Sequence, residues 1–266
     1  MTTPSTAARL SAAAHSPALP RPVSPHATST PAGPRRSLVM RKYHISSLRP
    51  DGGIHQSEQI GPALPLFEAA FSGFARSTLI QTTNGPVAIE DLLPGDQVVT
   101  AEYGPTRLLW VGSMTLVPKA NGDTPPESRM TRVMPEAFGM GKPMSNVMFG
   151  PGARLLTPAA RLRQHMGNEP VLAPVRHLVD GNSVIEITPP RPVTVYHLCL
   201  EKHATINAGG LWVESYHPGS GFERKMGEKM LGLFLSFFPH IRAPHEFGGL
   251  SHLRLPLVSP EGLEAA

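Results

Sequence analysis

The chain has a single cysteine, Cys199, in 266 residues. That excludes an internal disulfide framework and any zinc site built from several cysteines, so the fold must rest on a hydrophobic core. Long apolar runs are missing too: nothing approaches the roughly 18 consecutive apolar residues of a membrane-spanning helix. The N-terminus lacks the continuous apolar segment of a secretory signal, which leaves the cellular address open between the cytoplasm and export. Acidic residues are absent before Asp51, whereas the same stretch carries Arg9, Arg21, Arg35, Arg36, Arg41, Lys42 and Arg49. Those charges exceed the net +4 of the whole chain. The remainder is therefore weakly acidic and gives no electrostatic reason to expect a nucleic-acid groove.

Proline (30 residues) and glycine (25) are abundant instead and are spread along the chain, which favours short strands joined by turns over a helical bundle. Residues 1–50, rich in Ala, Ser, Thr and Pro, read as a disordered basic tail, because they bury too little surface to offset chain entropy. Residues 51–72 read as a linker ending in the apolar piece 64–71. From 73 to 216, apolar runs at 78–82, 87–93, 97–100, 107–111, 183–188 and 193–200 alternate with turn signals. Those signals are Asn84-Gly85, Pro94-Gly95-Asp96, Tyr103-Gly104-Pro105 and Asp180-Gly181-Asn182. This texture predicts an all-β domain. The methionine-rich stretch 118–152 interrupts it and reads as loop with gap-filling side chains. Residues 217–266 read as an extension in which Met226, Met230, Leu233, Phe234 and Phe237 keep helical spacing, predicting a short helix within 223–238 that packs on the β domain. A monomer without cofactor or metal is expected, with room for a protein partner of unknown identity.

Three blocks carry chemical information. The first runs Gly73-Phe74-Ala75-Arg76-Ser77-Thr78-Leu79-Ile80, then Val87-Ala88-Ile89-Glu90-Asp91-Leu92 and Pro94-Gly95-Asp96-Gln97-Val98. The second is Leu155-Leu156-Thr157-Pro158-Ala159-Ala160, followed by Pro174-Val175-Arg176-His177-Leu178-Val179-Asp180-Gly181. The third is Val195-Tyr196-His197-Leu198-Cys199-Leu200, His203, then Gly210-Leu211-Trp212-Val213-Glu214-Ser215. Together they resemble the Hint (hedgehog/intein) domain family, and in particular a bacterial subfamily whose closing block ends in Glu-Ser. The resemblance covers about half of the chain and implies a Hint β-fold flanked by the disordered tail and the short helical extension.

It also implies a self-processing chemistry, in which a thiol or hydroxyl at the first residue attacks the preceding carbonyl with help from a Thr-x-x-His pair. Here Gly73 stands at the nucleophile position and offers no attacking atom. Thr157 is retained, Ala160 stands where the histidine would be, and Ser215 lies near the position of the cyclising asparagine. Losing members of a coupled catalytic group removes most of its rate enhancement, so self-cleavage is not expected. Ser72 and Ser77 are the neighbouring hydroxyls that a non-standard mechanism would use, although a one-residue shift turns Ser72 to the opposite strand face. His197 and His203 are open to three readings: remnants of acid-base chemistry, a metal pair, or structural residues. Cys199, two residues from His197, reads as a buried small apolar side chain.

Overall fold

The structure, a computed structural model, describes residues 39–118, 128–158 and 169–256. Fifteen strands make it up. They are β1 (Met40–Leu48), β2 (Ile54–Pro62), β3 (Phe74–Ala75), β4 (Leu79–Thr82), β5 (Gly85–Ala88), β6 (Gln97–Thr100), β7 (Gly104–Leu116), β8 (Met130–Val133), β9 (Val147–Phe149), β10 (Arg154–Pro158), β11 (Pro170–Pro174), β12 (Val184–Ile187), β13 (Val193–Leu200), β14 (Thr205–Ala208) and β15 (Leu211–Glu214). Two short α-helices, α1 (Pro65–Ala69) and α2 (Glu228–Ser236), accompany them. Among the described residues no helix is long and apolar enough to cross a membrane.

The long strand β7 organises the sheet. Its first residues pair antiparallel with β6, Arg107 opposite Gln97, and its remainder pairs with β13, Met114 opposite Val195. Alternation explains the position: Trp110, Met114 and Leu116 bury in one cluster with Gly112 in the same phase, while a register shift opposite Cys199 and Leu200 turns Leu108 into the other. Gly112 is there for close approach, since a β-carbon would stand 2.0 Å from the Trp110 ring and 2.6 Å from Phe71. Strands β6 and β13 coincide with apolar runs in the sequence. The run at 87–93 does not form one strand, because after Ala88 the chain takes a single 3-10 turn, Ile89–Asp91. The Asp96 carboxylate accepts the Leu93 N–H at 2.8 Å and fixes the reversal that follows.

Residues 40–62 correct the sequence reading, which assigned them to tail and linker. β1 and β2 form a regular antiparallel hairpin closed at Asp51-Gly52-Gly53, where Gly52 has φ 84°. β1 also joins the main sheet along β7, Tyr43 opposite Met114. Its signal was period two, with Tyr43, Ile45 and Ser47 buried and His44 exposed between them. The basic and hydroxyl residues interleaved with them made the segment look like its low-complexity neighbour.

Two apolar clusters result. One, including Phe74, Ile80, Val98, Leu108, Leu198 and Val213, lies among the strands. The other is strongly aromatic and joins Tyr43, Phe67, Phe71, Trp110, Tyr216, Phe234 and Phe237. It is shared by the hairpin, α1, β7 and the C-terminal extension. The indole N–H of Trp110 donates to the Phe237 carbonyl at 2.8 Å, tying the end of α2 to the sheet. Burying each such ring contributes roughly 1.5–3 kcal/mol. The extension is thus built into the fold. Its helix is shorter than the spacing predicts, because Phe222–Lys225 forms a separate 3-10 turn and Gly227 precedes α2.

Candidate functional site

The peptide joining Ser72 to Gly73 leads into β3 and is buried. Backbone bonds hold it on each side: the Gly73 N–H donates to the Tyr196 carbonyl at 2.8 Å, the Gly150 N–H to the Gly73 carbonyl at 3.0 Å, and the Gly152 N–H to the Ser72 carbonyl at 2.9 Å. The wall behind it is the loop Gly150-Pro151-Gly152-Ala153 between β9 and β10. A β-carbon at 150 would stand 2.2 Å from the Ser72 carbonyl oxygen, and one at 152 would stand 2.7 Å from the Ala69 carbonyl and 2.9 Å from Ser72 Oγ. Only glycine lets this loop approach so closely, and the loop therefore brings no polar side chain to the peptide.

On the other side stands His197. A β-carbon at residue 73 would lie 2.9 Å from both Cδ2 and Nε2 of its ring and 3.0 Å from Cε1. His197 is buried on β13, edge-on to Phe74 at 5.8 Å and to Tyr216 at 5.3 Å between ring centroids. Its Nδ1 accepts the Leu198 N–H at 3.1 Å, so the neutral ring carries its proton on Nε2. Burial pushes its pKa down to about 3, and the ring is neutral at ordinary pH.

His203 belongs to a second, charged group. Its Nδ1 accepts the Ser251 N–H at 3.0 Å, which leaves Nε2 to donate to Glu214 Oε1 at 3.2 Å. The other oxygen of Glu214 receives Arg254 at 3.0 Å and lies 3.5 Å from Arg154. Burial alone would raise the Glu214 carboxyl; Arg254, the His203 hydrogen bond and Arg154 outweigh it and hold the pKa down to about 2. Residues 214–217 connect the two groups, since the Tyr216 ring meets His197 and the His217 ring lies 5.3 Å from His203.

The remaining candidates are placed as follows. Thr157 is paired with Val171 on β10, three residues and about 10 Å of extended chain beyond Arg154, and its buried hydroxyl has no partner. Gly150 and Gly152 touch the Ser72–Gly73 peptide, and the sequence reading passed over them as loop. Their Gly-Pro-Gly spacing was the available signal for a close backbone approach. Ala160 lies outside the described residues. Ser215 exchanges bonds with Ala204, its N–H donating at 2.9 Å and its Oγ accepting at 3.0 Å. Ser77 has φ 68° at a turn, where its N–H donates to Glu90 at 2.7 Å. Ser72 Oγ is buried without a partner. Burial raises the Cys199 thiol to about 12, which keeps it protonated. Among the described residues no group of three or more His, Cys, Asp or Glu stands together as a metal site. The sequence reading also missed Arg154 and Arg254. They come from distant parts of the chain and only the fold brings them to Glu214.

The solution structure of a bacterial intein-like domain from Clostridium thermocellum is similar at 12% identity and a TM-score of 0.38, covering 55% of this chain and 99% of that one. The crystal structure of the MchDnaB-1 intein is similar at 14% identity and a TM-score of 0.33, covering 54% and 99%. Comparison with curated proteins finds no match. The Hint domain model matches residues 72–220, more than half of the chain and all of the strands from β3 to β15. By that match the chain belongs to the Hint domain family.

Proposed function

We propose that this is a Hint domain that does not cleave or splice itself and serves as a structural or interaction module. One observation carries the reading: the volume that a nucleophilic side chain at residue 73 would need is filled by the edge of the His197 ring. Two others support it. The Ser72 carbonyl, the atom such a nucleophile would attack, meets a wall of Gly150, Gly152 and Ala153 that offers no acid or base. Ser215, bonded to Ala204, has no side-chain amide with which to cyclise. His197, His203 and Glu214 then act as packing and ion-pairing residues.

A second reading, self-cleavage through a non-standard nucleophile, is favoured only by the unpartnered Ser72 hydroxyl, since Ser77 is exposed and turned to Glu90. The test is the intact mass of the purified chain after prolonged incubation with a thiol or with hydroxylamine. The expected result is a single unchanged mass. A fragment ending at or beside Ser72 would refute the proposal, and loss of that fragment in Ser72→Ala would establish the second reading.

A further inference from the structure

A cavity of about 460 Å³ opens between α1, the 3-10 turn at 222–225 and the start of α2. Leu66, Phe67, Met226 and Met230 supply apolar walls. Its charged lining is all of one sign: Arg154, Arg254 and Lys225 line it beside the neutral His217 and Tyr216, and no carboxylate among the described residues does. Glu214 sits behind this wall and must serve both arginines at once. Two guanidinium groups on one carboxylate leave a net positive charge. The Nε atoms of both arginines are buried without a partner. Arg154 is only 5% exposed, so this shortfall lies within the protein and is not made up by bulk water. Lys225 is exposed and makes no ion pair among the described residues.

An apolar cavity of this size, with a few convergent polar groups of one sign, has the character of a small-ligand site. The occupant that meets both demands has an alkyl body and a single anionic head. We propose that the cavity binds a fatty-acid-like carboxylate, its head paired with Arg154 and Arg254 and its chain lying along Leu66, Met226 and Met230. A neutral lipid would leave the net positive charge of the two arginines on Glu214 unbalanced, and a small inorganic anion would leave the apolar walls wet. This goes beyond the proposed function and is independent of it, since binding is read by titration and scission by mass.

The full chain is titrated calorimetrically with sodium laurate, dodecanol and dodecylammonium. Laurate is expected to saturate one site and to bind about tenfold or more tighter than the other two, the difference of a charge-assisted pair. Lys225→Glu lies on the surface, where folding is insensitive to it; it is expected to weaken laurate about fivefold while leaving dodecanol unchanged. Met230→Trp, which fills the cavity, is expected to abolish binding of laurate. Equal affinity for laurate and dodecanol overturns the proposal, as does laurate binding that Lys225→Glu leaves untouched. Co-sedimentation with phosphatidylglycerol vesicles without binding of free laurate also overturns it, in favour of a membrane surface.

Discussion

Replacing Gly73 with cysteine puts a nucleophile back at the position where Hint chemistry would begin, and the structure says what this costs. Gly73 does not have a positive φ, so the backbone itself accepts a side chain. The obstacle is steric: the new β-carbon stands 2.9–3.0 Å from three atoms of the His197 ring, before any sulfur is added. His197 has little room to retreat, packed between Phe74 and Tyr216 with Nδ1 bonded to the backbone. Overpacking of this kind costs about 1–3 kcal/mol. For a domain of this size that lowers Tm by roughly 2–12 °C. His197→Ala alone removes a buried ring and is expected to cost about 2–4 kcal/mol, on the scale of large-to-small core changes. The two substitutions share one volume, so the double variant should be more stable than the sum of the singles by about 1–3 kcal/mol. Urea denaturation of the four proteins measures that coupling. Additive effects would show that His197 does not occupy the nucleophile's place and would remove the main support for an inactive domain. Hydroxylamine cleavage of the Gly73→Cys single variant would do so as well.

Glu214→Gln leaves Arg154 and Arg254 buried against each other without a counter-charge, and a loss of about 3–5 kcal/mol is expected in denaturant melts; a loss under 1 kcal/mol would mean that the cluster is solvated. Residues 72–220 expressed alone are expected to be insoluble or to bind a hydrophobic dye, because Trp110 and Tyr216 would lose Phe71, Phe238 and the Phe237 carbonyl. A soluble, cooperatively melting fragment would contradict the second core. Burial lowers the pKa of both His217 and His240 to about 4, so the unfolded chain takes up protons between pH 6.5 and 4 that the fold refuses. Stability is expected to be full above pH 6.5 and to fall by up to about 3 kcal/mol for each histidine on acidification to pH 4, less in His240→Phe. A flat stability profile across that range would refute the assignment.

The sequence made the strands legible where period and turn chemistry coincided, as in β6, with its Pro94-Gly95-Asp96 approach, and in β13. It hid β1, whose inward residues are few and whose outward residues match the composition of the segment before it. It also left out the glycines that precede the second block. Leu155-Leu156-Thr157 has the look of a catalytic strand, yet contact with the Ser72–Gly73 peptide comes from glycines at 150 and 152, and a residue without a side chain leaves no chemical trace in a pattern of side chains. The pairing of Glu214 with Arg154 and Arg254 was invisible for a different reason. It links positions 60 and 40 residues apart, and local spacing carries no information about such pairs.

If the domain is inactive, as proposed, the same glycines explain how its fold would persist without the chemistry. In a self-processing site the carbonyl before the first residue must be open to attack, and the group that moves its proton must stand beside it. Here that carbonyl accepts a backbone N–H from a loop drawn in so tightly that neither residue 150 nor residue 152 can bear a β-carbon without displacing its neighbours. Each change makes the others tolerable: with no side chain at 73, His197 can fill the space, and with no helper at 150–153, the loop can close on the peptide. Drift back to activity would then need coordinated change at 73, 150–153 and 197. Single substitutions meet a steric penalty before they gain any rate, which under the proposed function would make an inactive arrangement self-sustaining.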